Sequence, residues 1–173
     1  MSCVRTSLAT AAVVASTIAL ATPLKAQCVP DNFPNDWLQQ QENLGGHTIA
    51  NHVGWTDMQL TNRLQGNNPP LAAGTYPASQ QPDPIYRAAQ TTIAQGLASR
   101  RLAINAWAAN AQANAPRAEA FQAAATIGRV ATRQHPANVV DTQTYCVILR
   151  ANGAGGCRVL TSFPTPALQG YCN

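Results

Sequence analysis

The spacing of apolar residues changes character along the chain. Met58, Leu60 and Leu64 give the stretch after Thr56 one apolar side. Ile85, Ala89, Ile93 and Leu97 then recur every fourth residue, the spacing of a helix that buries one stripe. Leu102 with Ala106, and Ala103 with Trp107, continue that pattern, leaving open one bent helix or two. Residues 144–150 and 157–163 are instead dense in β-branched and apolar side chains. Asn152-Gly153-Ala154-Gly155-Gly156 lies between them, so this region predicts a β-hairpin.

Local signals set the ends of these elements. Residues 27–43 are polar, carry Pro30 and Pro34, and are expected to form an extended lead-in pinned to the body by Cys28. Gly45-Gly46 predicts a turn, residues 47–53 a short helix stopped by Gly54, and Thr56 with Gln59 a capping box for the next helix. Residues 66–82, rich in Gly, Pro, Asn, Ser and Gln, read as a loop. Asp83-Pro84 reads as an N-cap with proline at the first helical position, and Ser99 as a cap for a second segment. The alanine content of residues 111–125 favours helix, with a strand starting at Ile127-Gly128-Arg129-Val130. His135, followed by Pro136, falls in a loop and is given no chemical role. The elements describe an α+β chain without internal repeats, one domain over residues 27–173.

Residues 1–26 are expected to be a secretory signal peptide. Arg5 supplies a positive start, residues 8–21 form an apolar run, and Leu24-Lys25-Ala26 ends on a small residue. The run is shorter than the ~20 residues a membrane span needs, and nothing later is apolar enough to span, so the product is expected to be exported. Beyond it, nine arginines and no lysine face seven carboxylates, a net charge of +2. That balance is too small to argue nucleic-acid binding by itself. Cys28, Cys146, Cys157 and Cys172 remain, an even number that reads as two disulfides with three connectivities. If Arg150 faces Cys157 in the hairpin, Cys146 faces Thr161. Cys146 and Cys157 then stand more than ~10 Å apart along the ladder, beyond the ~7 Å reach of a disulfide. Each is therefore expected to pair with Cys28 or Cys172.

Several chemistries lack their residues. No Gly-x-Ser-x-Gly elbow occurs, and Gly153-Ala154-Gly155-Gly156 lacks the Lys-Ser/Thr of a phosphate loop. His47 and His52 lack the spacing and adjacent Glu of the helical zinc motif. Paired-carboxylate hydrolysis is disfavoured, since only Glu42 and Asp57 lie close in sequence to the histidines. No metal or other cofactor is expected. What remains is two histidines in a glycine-bounded segment and Arg63 on the helix that follows.

Those residues also carry a resemblance. Residues 45–54, Gly-Gly-His-Thr-Ile-Ala-Asn-His-Val-Gly, followed by Thr56-Asp57-x-Gln59-Leu60-x-x-Arg63-Leu64, resemble the opening motif of bacterial ribonuclease-A-like toxin domains. These domains are best known from the C-termini of contact-dependent growth-inhibition proteins. The similarity continues through Ile104-x-x-Trp107 and Ile127-Gly128-Arg129-Val130 to Val159-Leu160-Thr161-Ser162-Phe163-Pro164, covering residues 45–164. It implies N-terminal helices packed on a curved antiparallel sheet, and metal-independent RNA cleavage by 2′-OH attack to a 2′,3′-cyclic phosphate. It implies His52, Arg63 and Thr161 as catalytic residues, with His47 and Phe163 on the substrate side or in support. RNA and a cognate immunity protein are the implied partners, for a monomeric toxin or effector. Phe163 stands where the family usually carries Tyr, which keeps a second reading open: a secreted binding protein on the same fold with weakened or lost catalysis.

Overall fold

The computed structural model describes residues 27–172. The expected signal peptide, residues 1–26, lies outside them. Five helices, α1 (Trp37–Asn43), α2 (Thr48–His52), α3 (Asp57–Gln65), α4 (Arg87–Ser99) and α5 (Arg101–Ala108), combine with six strands. The strands are β1 (Ala72–Thr75), β2 (Pro116–Gln122), β3 (Gly128–Thr132), β4 (His135–Thr142), β5 (Thr144–Ala151) and β6 (Cys157–Thr165). All strand pairs are antiparallel and form two three-stranded sheets, ordered β1-β3-β4 and β2-β5-β6. The α+β architecture is as expected, with the β-structure divided into two sheets whose edge strands β1 and β6 lie against each other.

Each sheet takes its own helices. Ala89, Ile93, Leu97, Ile104 and Ala108 of α4 and α5 bury their stripe with Phe121, Tyr145, Val147 and Leu149. Leu60 and Leu64 of α3 pack with Ala73 and Ala131. Each such Leu or Ile stabilises the fold by about 1.5–3 kcal/mol through lost apolar exposure. Met58, expected on this buried side, is 70% exposed, and Ile85 and Leu102 are exposed as well. No helix of the described residues is long and apolar enough to cross a membrane.

Other differences have local causes. The lead-in contains α1, because Trp37, Leu38 and Gln41 share a buried side and the Gln90 side chain accepts from the Leu38 N–H at 2.9 Å. The glycine-rich loop contains β1, four small residues whose ladder partner is β3. Asp83 does not cap α4, which starts at Arg87. The Ser79 hydroxyl accepts from the Ala88 N–H instead, at 2.9 Å. Ser99 does not cap α5: its hydroxyl donates to Gly96 O, and the helix breaks at Arg100. Residues 116–122, expected to be helical, form β2 against β5. Its Glu119 is buried between Arg100 and Arg117. His135 opens β4 rather than lying in a loop, and its side chain is exposed.

The hairpin is present, but its register differs from the simple one. Ala151 faces Cys157, and a bulge shifts the pairing so that Leu149 faces Val159 while Ile148 faces Thr161. Cys146 therefore faces Phe163 rather than Thr161. The two strand cysteines still reach different partners, Cys28–Cys157 and Cys146–Cys172.

Candidate active site

Helix α2 is clamped between α1 and the hairpin. The Ile49 N–H donates to the Glu42 carboxylate at 2.7 Å, and the Ser162 N–H donates to the Thr48 hydroxyl at 2.9 Å. The bulge supplies a third tie, because the extra residue, Leu160, turns its carbonyl to the His47 N–H at 2.9 Å. Bulges re-aim strand side chains. Here Thr161 and Phe163 both line the cleft that His47 and His52 line from the helix side.

His52 ends α2 against β1. Its carbonyl accepts from the Tyr76 N–H at 2.8 Å, and its Nδ1 lies 3.1 Å from Gly74 O. A carbonyl can only accept, so Nδ1 carries the proton and donates, leaving the Nε2 lone pair unused. Burial is the main reason that the His52 pKa falls from 6.5 to about 4, with the nearby Arg63 and His47 charges lowering it further. The Phe163 ring, 5.3 Å away and tilted by 36°, is part of that apolar cover. Gly74 allows the arrangement. A Cβ there would lie 2.1 Å from Pro164 O, so only glycine lets β1 bring its carbonyl to His52 beside β6.

Arg63 comes from α3, whose start is fixed by the Thr56–Gln59 capping box. Its guanidinium stands 5.5 Å from the centre of the Trp55 ring, a cation–π contact that steadies a long side chain without neutralising it. No carboxylate pairs with Arg63 among the described residues. The two carboxylates nearest the histidines in sequence are occupied elsewhere, Glu42 on the α2 backbone and Asp57 on Arg129. Thr161 is only 8% exposed, and its hydroxyl has no hydrogen-bond partner. Leaving such a group unmatched costs about 1–3 kcal/mol, a cost that an oxygen-rich ligand in the cleft would offset.

These side chains line one cleft of about 380 Å³. All five residues singled out from the sequence, His47, His52, Arg63, Thr161 and Phe163, lie on its wall, joined by Pro70, Leu71 and Tyr171 among others. Sequence reasoning did not single out Trp55 or the Gly74 carbonyl. Trp55 sits between the His and Arg motifs, whereas nothing in the sequence marks a backbone acceptor. Phe163 brings no hydroxyl to this wall, and Tyr145 and Tyr171 stand differently with respect to it. Tyr145 is buried in the core, its hydroxyl donating to Thr92 O at 2.9 Å. Tyr171 is the one at the cleft. Among the described residues, no cluster of His, Cys, Asp and Glu is suited to hold a metal ion.

The family model described as the bacterial CdiA-CT RNAse A domain matches residues 46–164 of this chain. That span ends at the residue where the motif resemblance ends and begins one residue later. Among solved structures, the chain is similar to a protein in the crystal structure of a CdiA-CT/CdiI complex from Y. kristensenii. The identity is 23% and the TM-score 0.58, over 70% of this chain and 100% of that one. A likeness at that identity speaks for the fold. No match was found among the curated proteins.

Proposed function

Because this chain belongs to the bacterial CdiA-CT RNAse A domain family, a family of toxin ribonucleases, we propose that it cuts RNA at the cleft between α2, α3 and β6. The reaction is transphosphorylation. His52 Nε2 takes the proton of a ribose 2′-OH, the 2′-oxygen bonds to its own phosphorus, and the bond from phosphorus to the 5′-oxygen breaks. His47 returns a proton to that leaving oxygen. The products are a 2′,3′-cyclic phosphate and a 5′-hydroxyl, with atoms and charge conserved.

The observation that carries this reading is the convergence of a tautomer-fixed neutral imidazole, an unneutralised guanidinium and an orphaned buried hydroxyl on one cleft. The planar donor fork of Arg63 matches two phosphate oxygens and stabilises the charge that grows on them. Thr161 donates to the same group. None of these steps calls on a metal. The protein would act as an exported toxin or effector, with residues 1–26 removed on secretion and its disulfides formed in an oxidising compartment. The neighbouring CdiA-CT/CdiI structure supports a cognate immunity protein as partner.

Phe163 favours one other reading, an RNA-binding protein that has lost catalysis, since its ring offers no proton or hydrogen bond. Incubation of the oxidised protein with total RNA in EDTA separates the two. Cleavage that disappears in His52→Ala supports the enzyme. Intact RNA that is nonetheless retained by the wild type points to the binding protein.

A further inference from the structure

The cleft continues past the residues assigned to cleavage. A second hollow of about 210 Å³ is lined by Leu71, Thr132, Arg133, Gln134, Gly170 and Tyr171. Leu71, Gly170 and Tyr171 line both hollows, so the two share a wall formed by the loop before β1 and the segment after β6.

That wall is fastened on both sides. Residues 166–172 have no regular structure, and a bond from the Thr165 hydroxyl to Ala167 O holds only their beginning. Their end is held by the Cys146–Cys172 disulfide. Cys146 is fully buried in β5, so the residue next to Tyr171 is anchored in the sheet centre. Across the wall, the Arg133 N–H donates to Leu71 O at 2.9 Å and its Nη1 to Pro69 O at 3.3 Å, tying the β3–β4 turn to the same loop. Charge follows the groove. Among the described residues, Arg63, Arg133, Arg150 and Arg158 have no carboxylate partner. Two of these line the joined groove, Arg63 in the first hollow and Arg133 in the second.

We infer that the second hollow is a subsite for the neighbouring nucleotide of a bound RNA. Arg133 contacts the phosphate next to the scissile one, and the Tyr171 ring forms the wall on which a base stacks. The inference rests on the RNA-cleavage reading of the first hollow. A guanidinium fork suits phosphate oxygens, and stacking on an aromatic ring accepts any base. The disulfide then positions a binding surface, because releasing Cys172 frees the segment that presents Tyr171.

Binding of all-deoxy oligonucleotides of mixed sequence, which lack the attacking hydroxyl, tests this without cleavage. The oxidised protein is expected to bind a tetranucleotide more tightly than a dinucleotide. Arg133→Gln should weaken tetranucleotide binding roughly tenfold and leave dinucleotide binding unchanged, while Tyr171→Ala, whose ring borders both hollows, should weaken tetranucleotide binding by at least as much. Cys172→Ser should behave like Tyr171→Ala, while Tyr171→Phe keeps the ring and the affinity. Arg150→Gln, remote from the groove, should change neither. A dinucleotide bound as tightly as the tetranucleotide overturns the subsite alone, and so does an Arg150→Gln loss equal to that of Arg133→Gln. An equal loss in Tyr171→Phe and Tyr171→Ala also overturns it, by assigning the hydroxyl rather than the ring. If neither oligonucleotide binds while RNA is still cleaved, the subsite fails alone; if RNA is left intact and unbound as well, the RNA reading fails with it.

Discussion

His52 gives up most of its hydration on folding, and its chemistry and its effect on stability both follow. With a pKa near 4, the imidazole is neutral at neutral pH and able to accept a proton. The acidic limb of kcat/KM, which reports free enzyme, is expected near pH 4. The limb of kcat should lie at higher pH, because a bound phosphate anion offsets the repulsion from Arg63 that depresses the group. Rate profiles against a short RNA check both. Stability changes in the same window. The unfolded chain binds a proton near pH 6.5 and the folded one only near pH 4, so the unfolded state holds more protons in between and stability falls as pH drops. The loss attributable to His52 reaches about 3 kcal/mol. Denaturant titrations of the wild type and His52→Gln at several pH values should show that difference in slope. The candidate residues were legible in the sequence because His47, His52 and Arg63 lie within one short motif. The Gly74 carbonyl that sets the His52 tautomer was not, because a backbone oxygen leaves no mark on side-chain pattern.

Strand β1 shows what the helices and strands contribute beyond their side chains. Gly74→Ala would push a methyl group onto the Pro164 carbonyl and separate β1 from β6. Overpacking of this kind costs about 1–3 kcal/mol, and the displaced carbonyl would release His52. A lower melting temperature together with a fall in kcat is expected, where a merely structural glycine would show the first alone. Thr56→Ala removes the α3 capping box and should cost about 1 kcal/mol in a denaturant titration. Its kcat should hold, since Leu60 and Leu64 still seat the helix that carries Arg63. The elements that the sequence revealed are those with strong local signals: the α3 capping box, the α4 stripe and the β5–β6 hairpin. Those that it hid depend on partners. Residues 116–122 have helical composition, yet pairing with β5 and the Arg100 and Arg117 contacts to Glu119 make them a strand. The one-residue bulge at Leu160 escaped a register drawn without it, although the cysteine pairing it was used to judge came out as expected.

At the scale of the whole molecule, both sheets contribute to the cleft, Ala72 from β1 and Thr161 and Phe163 from β6. Cys28–Cys157 ties the lead-in to the far end of β6 across a sequence separation of 129 residues. Removing it with Cys28→Ala and Cys157→Ala should cost about 2–5 kcal/mol, seen as a lower unfolding midpoint, with cleavage retained at temperatures where the variant stays folded. The central claim is that cleavage uses the substrate's own 2′-hydroxyl, activated by His52. A DNA oligonucleotide carrying a single ribonucleotide, incubated in EDTA, measures this most directly. The expected result is one cut on the 3′ side of that ribose, leaving a 2′,3′-cyclic phosphate and a 5′-hydroxyl, and no cut with His52→Ala. Cleavage at deoxynucleotides, a 5′-phosphate product, or undiminished cutting by His52→Ala would contradict it.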